Sequence, residues 1–266
     1  MAAPNEITVQ QLSRLIGLPD CPQIIDVCID EDFALDPRII PGSRRQPFTK
    51  IEELAPELHS KKVVIICHKG LKLSQGAAAL LRLNGVAAQT LAGGIVAWAA
   101  AGLPMVKTAK VTSSLWVTRH RPKIDRIACP WLIRRFVDPS ARFMFVSPSQ
   151  VLNVAEKFKA TPFDVEDCYW SHRDEFCTFD IMVKEFGIAH NALETLAKIV
   201  RGADTDRLDI SPQSTGLMAA SLGLSRMYKD DLEQLEAGIA LYDAFYRWAR
   251  DAQDENHTWI TSGSPK

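Results

Sequence analysis

The sequence predicts an α/β protein: a parallel-sheet α/β/α domain followed by a helix-rich α+β domain. Three observations carry this. Ile24-Ile25-Asp26-Val27 and Val63-Val64-Ile65-Ile66 are short apolar runs without alternation, as expected of strands buried on both faces of a parallel sheet. Segments of helical spacing follow such runs, and strands that alternate with helices imply an α/β sheet. Residues 106–114, VKTAKVTSS, are small and polar and lack periodicity. That stretch separates a domain over 1–107 from one over 114–266. A chain of 266 residues suits about two domains of roughly 150 residues.

Each element has a local reason. Thr8-Val9-Gln10-Gln11 fits a capping box, with Leu12, Leu15 and Ile16 on one face behind it and Gly17 as the stop. Ile40-Pro41-Gly42-Ser43 reads as a turn. The 63–66 strand runs into Cys67 and a short polar loop. A helix over 73–83 follows, stopped by Gly85. Ala87 to Leu91 is the next strand, and a short helix after Gly93-Gly94 runs through Trp98 to Gly102-Leu103-Pro104. Beyond the boundary, Leu115 to Thr118 and Arg142 to Val146 read as strands. Ser147-Pro148-Ser149-Gln150 combines a cap, a first-turn proline and Gln three residues on. Asn191 to Val200 is helical, and Ser211-Pro212 opens another helix. Leu232, Leu235, Ile239, Tyr242, Tyr246 and Ala249 form the apolar stripe of a long last helix. Trp131, Tyr242, Tyr246 and Trp248 read as core.

Composition excludes several classes. The chain is 47% hydrophobic, 24% charged and carries a formal charge of −1, so no global field draws it to nucleic acid or membrane. No apolar run approaches the roughly 20 residues of a membrane span. The start MAAPNEITVQQ lacks a basic region followed by an apolar one, so no signal peptide is expected. Six cysteines in such a chain read as reduced thiols in the cytoplasm. The last helix is acidic and no helix-turn-helix is visible, so DNA binding is not expected.

Cys67 stands out among the thiols. It ends a buried parallel strand just before a helix, the edge where open α/β sheets bind ligands. The loop Cys67-His68-Lys69-Gly70-Leu71-Lys72 can turn backbone N–H groups inward as an anion nest. The following helix N-terminus and the ammonium groups of Lys69 and Lys72 favour thiolate over thiol. Cys28 fits an inert buried thiol instead.

The order IIDV, IIPGS, VVIICHKGLK and LAGGIVAWAAAGLPMV over residues 5–106 resembles a single-domain rhodanese, a sulfurtransferase. The resemblance implies that Cys67 takes a sulfane sulfur from thiosulfate or a persulfide and passes it to a thiol or other thiophilic acceptor. Lys69 and Lys72 would support that chemistry, and His68 and Gly70 would line the loop. Asp26 matches the family's structural Asp, and Gly93, Gly94 and Trp98 its terminal packing motif. Lys72 stands where many members carry Arg, which keeps charge but loses a planar fork. Leu73 stands where a hydroxyl residue is common, with Ser74 next. Phosphatase-like and arsenate-reducing relatives need Arg at the position of Leu73. Cys28 replaces a common Arg.

A basic segment follows the boundary. Arg119, Arg121, Lys123, Arg126, Arg134 and Arg135 are opposed only by Asp125. A solvated face is the bland reading of such a run. Arginine forks also suit tetrahedral oxyanions, and Ser171-His172-Arg173-Asp174 adds a histidine. The stretches WVTRHRPKIDRIACPWLIRRFVDPSARFMFV, SHRDEFCTFD, IVRGADTDR and SPQSTGLMAASLGLSRMYKDD resemble the C-terminal domain of ChrB-type chromate-resistance proteins, over residues 115 to about 250. The resemblance implies a role in chromate resistance, with chromate or sulfate as ligand. Together with the arginine forks, it leads to the inference that Arg119, Lys123, Arg126 and His172 bind an anion, with Arg119, Arg126 and His172 converging on one dianion. Asp125, His172, Asp180 and Asp204 form an alternative site for a divalent metal, against which stands pairing of these acids with the many arginines. No Cys-x-x-Cys pair suggests structural zinc. The joint reading is a sulfurtransferase fused to an anion-sensing or anion-handling domain. Its alternative is a non-catalytic chromate-binding sensor with a vestigial Cys67.

Overall fold

The computed structural model describes residues 4–255; the extreme ends of both expected domains, 1–3 and 256–266, lie outside it. The first half is built on a five-stranded, wholly parallel sheet. Its strands, in spatial order, are Glu6–Ile7, Ala87–Leu91, Lys62–Ile66, Gln23–Asp26 and Ser43–Arg45. The central pair is in register from Gln23 opposite Val63 to Asp26 opposite Ile66. Both faces of a parallel sheet are covered, and Val63, Val64, Ile65 and Ile66 are accordingly buried on both sides. The capping box forms as the sequence suggests. Gln11 N donates to Thr8 Oγ1 at 3.1 Å and Thr8 N to Gln11 Oε1 at 2.9 Å. Helices at Lys72–Leu83 and Gly94–Ala100 follow the Lys62–Ile66 and Ala87–Leu91 strands.

The second half is helix-rich around a three-stranded sheet ordered Thr161–Pro162, Leu115–Arg119, Arg142–Val146. All pairings in it are parallel. Parallel neighbours need a crossover, and Asp125–Leu132 extended by a wider turn over Ile133–Val137 supplies it. Ser147 precedes its helix without a side-chain cap bond, so that expected cap does not form, while Ser211-Pro212 opens the Pro212–Met227 helix as expected. The long helix spans Asp231–Asp251 and buries Leu235, Ile239, Tyr242, Tyr246 and Ala249.

The apolar core is continuous through both halves. Trp131 lies against Phe136, Phe179, Tyr242 and Tyr246, with ring centroids 5.4–6.4 Å apart. Val106–Lys107 returns to pair antiparallel with Arg38–Ile39. Gly42 N donates across to Phe136 O at 2.7 Å. Among the described residues, no helix is long and apolar enough to cross a membrane.

Candidate functional sites

Cys67 sits at the carboxyl edge of the first sheet, one residue past the Lys62–Ile66 strand. Its side chain is buried, and its Sγ lies 3.2 Å from Ser74 Oγ. Ser74 Oγ in turn donates to Leu71 O at 3.2 Å. The hydroxyl absent at Leu73 is therefore supplied one residue later. His68 is half-buried, while Lys69 and Lys72 are exposed at the mouth of the loop.

The loop is braced by the Gly93-Gly94 turn. Ile95 N donates to Cys67 O at 3.1 Å and Val96 N to His68 O at 3.0 Å, so the N-terminus of the Gly94–Ala100 helix grips the Cys67 backbone. Gly70 has φ +68°, and a Cβ there would lie 2.6 Å from Leu91 O and 2.7 Å from Gly94 N. A Cβ on Gly94 would overlap Cys67 O and Gly70 N. Only glycine fits either place.

Burial pushes the other thiols up: Cys21 to about 12, and Cys28, Cys168, Cys129 and Cys177 also above the ordinary range. Asp26 is buried as well, its Oδ1 accepting Cys28 N at 2.9 Å. Arg45, which the sequence reading did not single out, spans the same edge. It donates to Cys28 O at 3.0 Å and to Asp30 at 2.9 Å.

The basic segment of the second half resolves into separate pairings. Arg121 donates to Ser225 O and to Tyr228 O at the end of the Pro212–Met227 helix, a usual place for a cation. Arg134 pairs with Glu236 at 2.6 Å and Arg135 with Asp243 at 2.7 Å, both on the long helix. Lys123 is exposed and stands apart.

The structure brings Arg119, Arg126 and His172 together around one carboxylate. Their common anion is a carboxylate of the chain itself, Asp164. Asp164 Oδ2 accepts Arg119 Nη2 at 2.9 Å and faces Arg126 Nε at 3.3 Å. Asp164 Oδ1 lies 3.4 Å from His172 Nε2 and accepts Thr178 Oγ1 at 3.0 Å. His172 Nε2 is also 3.4 Å from Asp125 Oδ2 and 3.2 Å from Asp204 Oδ2. A free dianion would face three carboxylates here. Asp180, expected with them, is elsewhere. It pairs with Arg201 at 3.3 Å and accepts Cys177 N at 3.1 Å, as a helix N-terminal acid does.

Electrostatics follow from this crowding. The carboxylates of Asp125, Asp164 and Asp204, all within 3.4 Å of Nε2, push His172 up to about 12. Burial, then the Asp204 charge, pushes Asp125 up to about 7. Burial opposes ionisation of Asp164 too, but His172 and the two arginines outweigh it and hold its carboxyl below the usual range. The cluster lies at the carboxyl edge of the second parallel sheet. Arg119 ends the Leu115–Arg119 strand, Asp164 follows Thr161–Pro162 closely, and Asp125 opens the crossover helix. Asp164 is the member that sequence reasoning missed; a two-residue strand has no periodicity to announce it.

The model of the ChrB, C-terminal domain family matches residues 116–249, and that of the rhodanese-like domain family matches residues 8–101. The chain belongs to the ChrB C-terminal domain family and carries a rhodanese-like domain in front. Protein ChrB of Cupriavidus metallidurans is 29% identical over 133 residues, which are 49% of this chain and 39% of that protein. The chain thus spans about two fifths of the length of that curated relative. Among solved structures, a rhodanese-like domain protein from Staphylococcus aureus is 29% identical, covering 35% of this chain and 90% of that one, with a TM-score of 0.31. A thiosulfate sulfurtransferase from Pseudomonas aeruginosa is 27% identical, covering 38% of this chain and 19% of that one, with a TM-score of 0.34.

Proposed function

We propose that the rhodanese-like domain is a sulfurtransferase that carries sulfane sulfur on Cys67, in the setting of chromate and oxyanion stress. The observation that carries the reading is the Cys67 loop: a thiol at a parallel-sheet edge, beside Ser74 Oγ at 3.2 Å, with two exposed lysines at the mouth. In the first step the Cys67 thiolate attacks the outer sulfur of thiosulfate or of a persulfide. The donor S–S bond breaks, and sulfite or a thiolate leaves with the electron pair. Lys69 and Lys72 attract the anionic donor and favour its departing charge. Ser74 donates toward the sulfur once its proton is gone. A thiol or other nucleophile then takes the outer sulfur, and Cys67 is returned as thiolate. Reduced Cys67 is required throughout, which fits a cytoplasmic setting. The ChrB-type half supports the chromate-resistance context of the fusion.

The test is thiosulfate:cyanide transfer by the full chain, with intact mass after thiosulfate treatment. The expected result is turnover and one added sulfur atom on Cys67, both absent in Cys67→Ser. A Cys67→Ser variant that still turns over, or a wild-type chain that neither turns over nor gains sulfur from a persulfide donor, overturns the reading in favour of a binding protein.

A further inference from the structure

We infer that Asp125, Asp164 and His172 form a binding site for one divalent first-row cation, with Mn²⁺ the best-matched probe and Asp204 as a further carboxylate beside the ring. The inference is independent of the sulfurtransferase reading. It rests first on geometry. His172 Nε2 is 3.2, 3.4 and 3.4 Å from one oxygen of each of three aspartates. One ring nitrogen carries at most one proton and can point it at one acceptor. Charge-assisted bonds of that kind are shorter, about 2.7–2.9 Å. Near-equal separations from several oxygens instead suit donors spread around a common centre. For bonds of about 2.1–2.3 Å, adjacent ligands in an octahedron stand about 3.0–3.3 Å apart. The nearest donor atoms of Asp125, Asp164 and His172 all lie within 4.8 Å of one another, as ligands of one ion must.

A second observation is the Asp125 carboxylate. The residue is only 1% exposed, and its Oδ1 is buried with no hydrogen-bond partner. An acceptor orphaned in the interior is destabilising, and a cation at this carboxylate relieves it. The remaining oxygens are aimed by neighbours, as ligating carboxylates usually are. Asp125 Oδ2 accepts Thr178 N at 2.6 Å and Phe179 N at 3.3 Å. Arg119 and Arg126 hold Asp164 by Oδ2, which leaves Oδ1 facing His172. Backbone strain sits in the same place. Asp164 has φ +52°, and Ile124, directly before Asp125, has φ +36°, a rare conformation for a β-branched residue.

The donor set names the class. Two carboxylates and one imidazole, with a third carboxylate beside them, favour Mn²⁺, Fe²⁺ or Mg²⁺ over soft ions that prefer thiolate, and burial pushes the Cys129 and Cys177 thiols up. The His172 side chain is 42% exposed, so an ion reaches the centre from solvent. Three protein ligands leave three positions of an octahedron for water or a substrate oxygen.

The test uses the full chain purified without chelator, then stripped with EDTA. Metal content is read by plasma mass spectrometry. MnCl₂ binding is read by calorimetry and by loss of the free Mn²⁺ electron-paramagnetic signal, with MgCl₂ and ZnCl₂ as parallel arms. One equivalent of Mn²⁺ is expected, with a higher Tm on binding. His172→Ala should weaken binding at least about tenfold, and Asp204→Asn, which removes a carboxylate charge 3.2 Å from the ring, should weaken it by less. Both residues are partly open to solvent, and circular dichroism checks that the variants fold. The competing reading is an imidazolium held by three carboxylates with no ion. It is established, and the proposal overturned, if none of the three cations binds or raises Tm, or if both variants bind Mn²⁺ like the wild type.

Discussion

Asp26 is a carboxyl group held where water hardly reaches, 1% exposed. Burial pushes its pKa up, and the Cys28 hydrogen bonds and the Arg45 charge only partly offset this. Its Oδ2 is buried without a hydrogen-bond partner, and Arg45 Nε stands 3.9 Å away. The folded state therefore binds the Asp26 proton more tightly than the unfolded chain, whose Asp titrates near about 3.9. Stability from this group is greatest below that value and falls as pH rises through the raised folded pKa. Asp26→Asn keeps an acceptor for Cys28 N and removes the titration. The urea midpoint of the variant should fall less than that of the wild type as pH rises above about 4; equal slopes would show that Asp26 does not titrate differently on folding. At this scale the sequence was legible where a site is contiguous. The Cys67 loop is six consecutive residues, so its charges and glycine could be read directly. The aspartate cluster draws on positions 125, 164, 172 and 204, which only tertiary packing brings together. The arginine signal there was real, but its anion was an aspartate more than thirty residues downstream.

Among elements, the same construction occurs twice. In each half a parallel strand ends, the chain turns, and a helix N-terminus comes to the edge: Lys72–Leu83 after Cys67, and Asp125–Leu132 after Arg119. Helix starts from other segments complete both edges. Ile95 N and Val96 N grip the Cys67 loop, and Thr178 N and Phe179 N grip Asp125. The first construction was visible because its strands are apolar runs of four or five residues. The second was half hidden, because Thr161–Pro162 is short and the Asp125–Leu132 helix carries Pro130 within it, a residue that argues against helix. Gly94 makes the brace testable. A methyl there meets Cys67 O and Gly70 N, so Gly94→Ala must displace the loop backbone. Sulfur transfer should fall by at least about tenfold, since small displacements of reacting groups are that costly. Gly76→Ala, on the exposed face of the next helix with open space around it, is the control. Equal activity in the two variants would remove the brace from the account.

The whole molecule is held by contacts that cross from one half to the other. Arg250 Nη1 donates to Arg14 O at 3.0 Å and to Ile16 O at 3.4 Å. Gly17 lies in the angle between Phe136 and Tyr246. It has φ +77°, and a Cβ there would come within 2.5 Å of a Phe136 ring carbon and 2.8 Å of a Tyr246 one. Gly17→Ala combines a disfavoured backbone with overpacking, worth about 1–3 kcal/mol for the overpacking alone. Calorimetry should show one transition for the wild type and one, at lower temperature, for the variant. Two separate transitions, with only one of them shifted, would mean that the halves fold as independent bodies. The glycine that the sequence suggests as a helix stop is thus also a seat for two aromatic rings of the other half. That seat has a consequence for descent. Gly17 of the first half lies against Phe136 and Tyr246 of the second, so exchange of the first half would take that cover from the two rings. A relative that has lost the first half must have replaced those rings or covered them with another segment. The residues at these two positions should therefore change together with the presence of the N-terminal unit, as a lineage marker independent of either site.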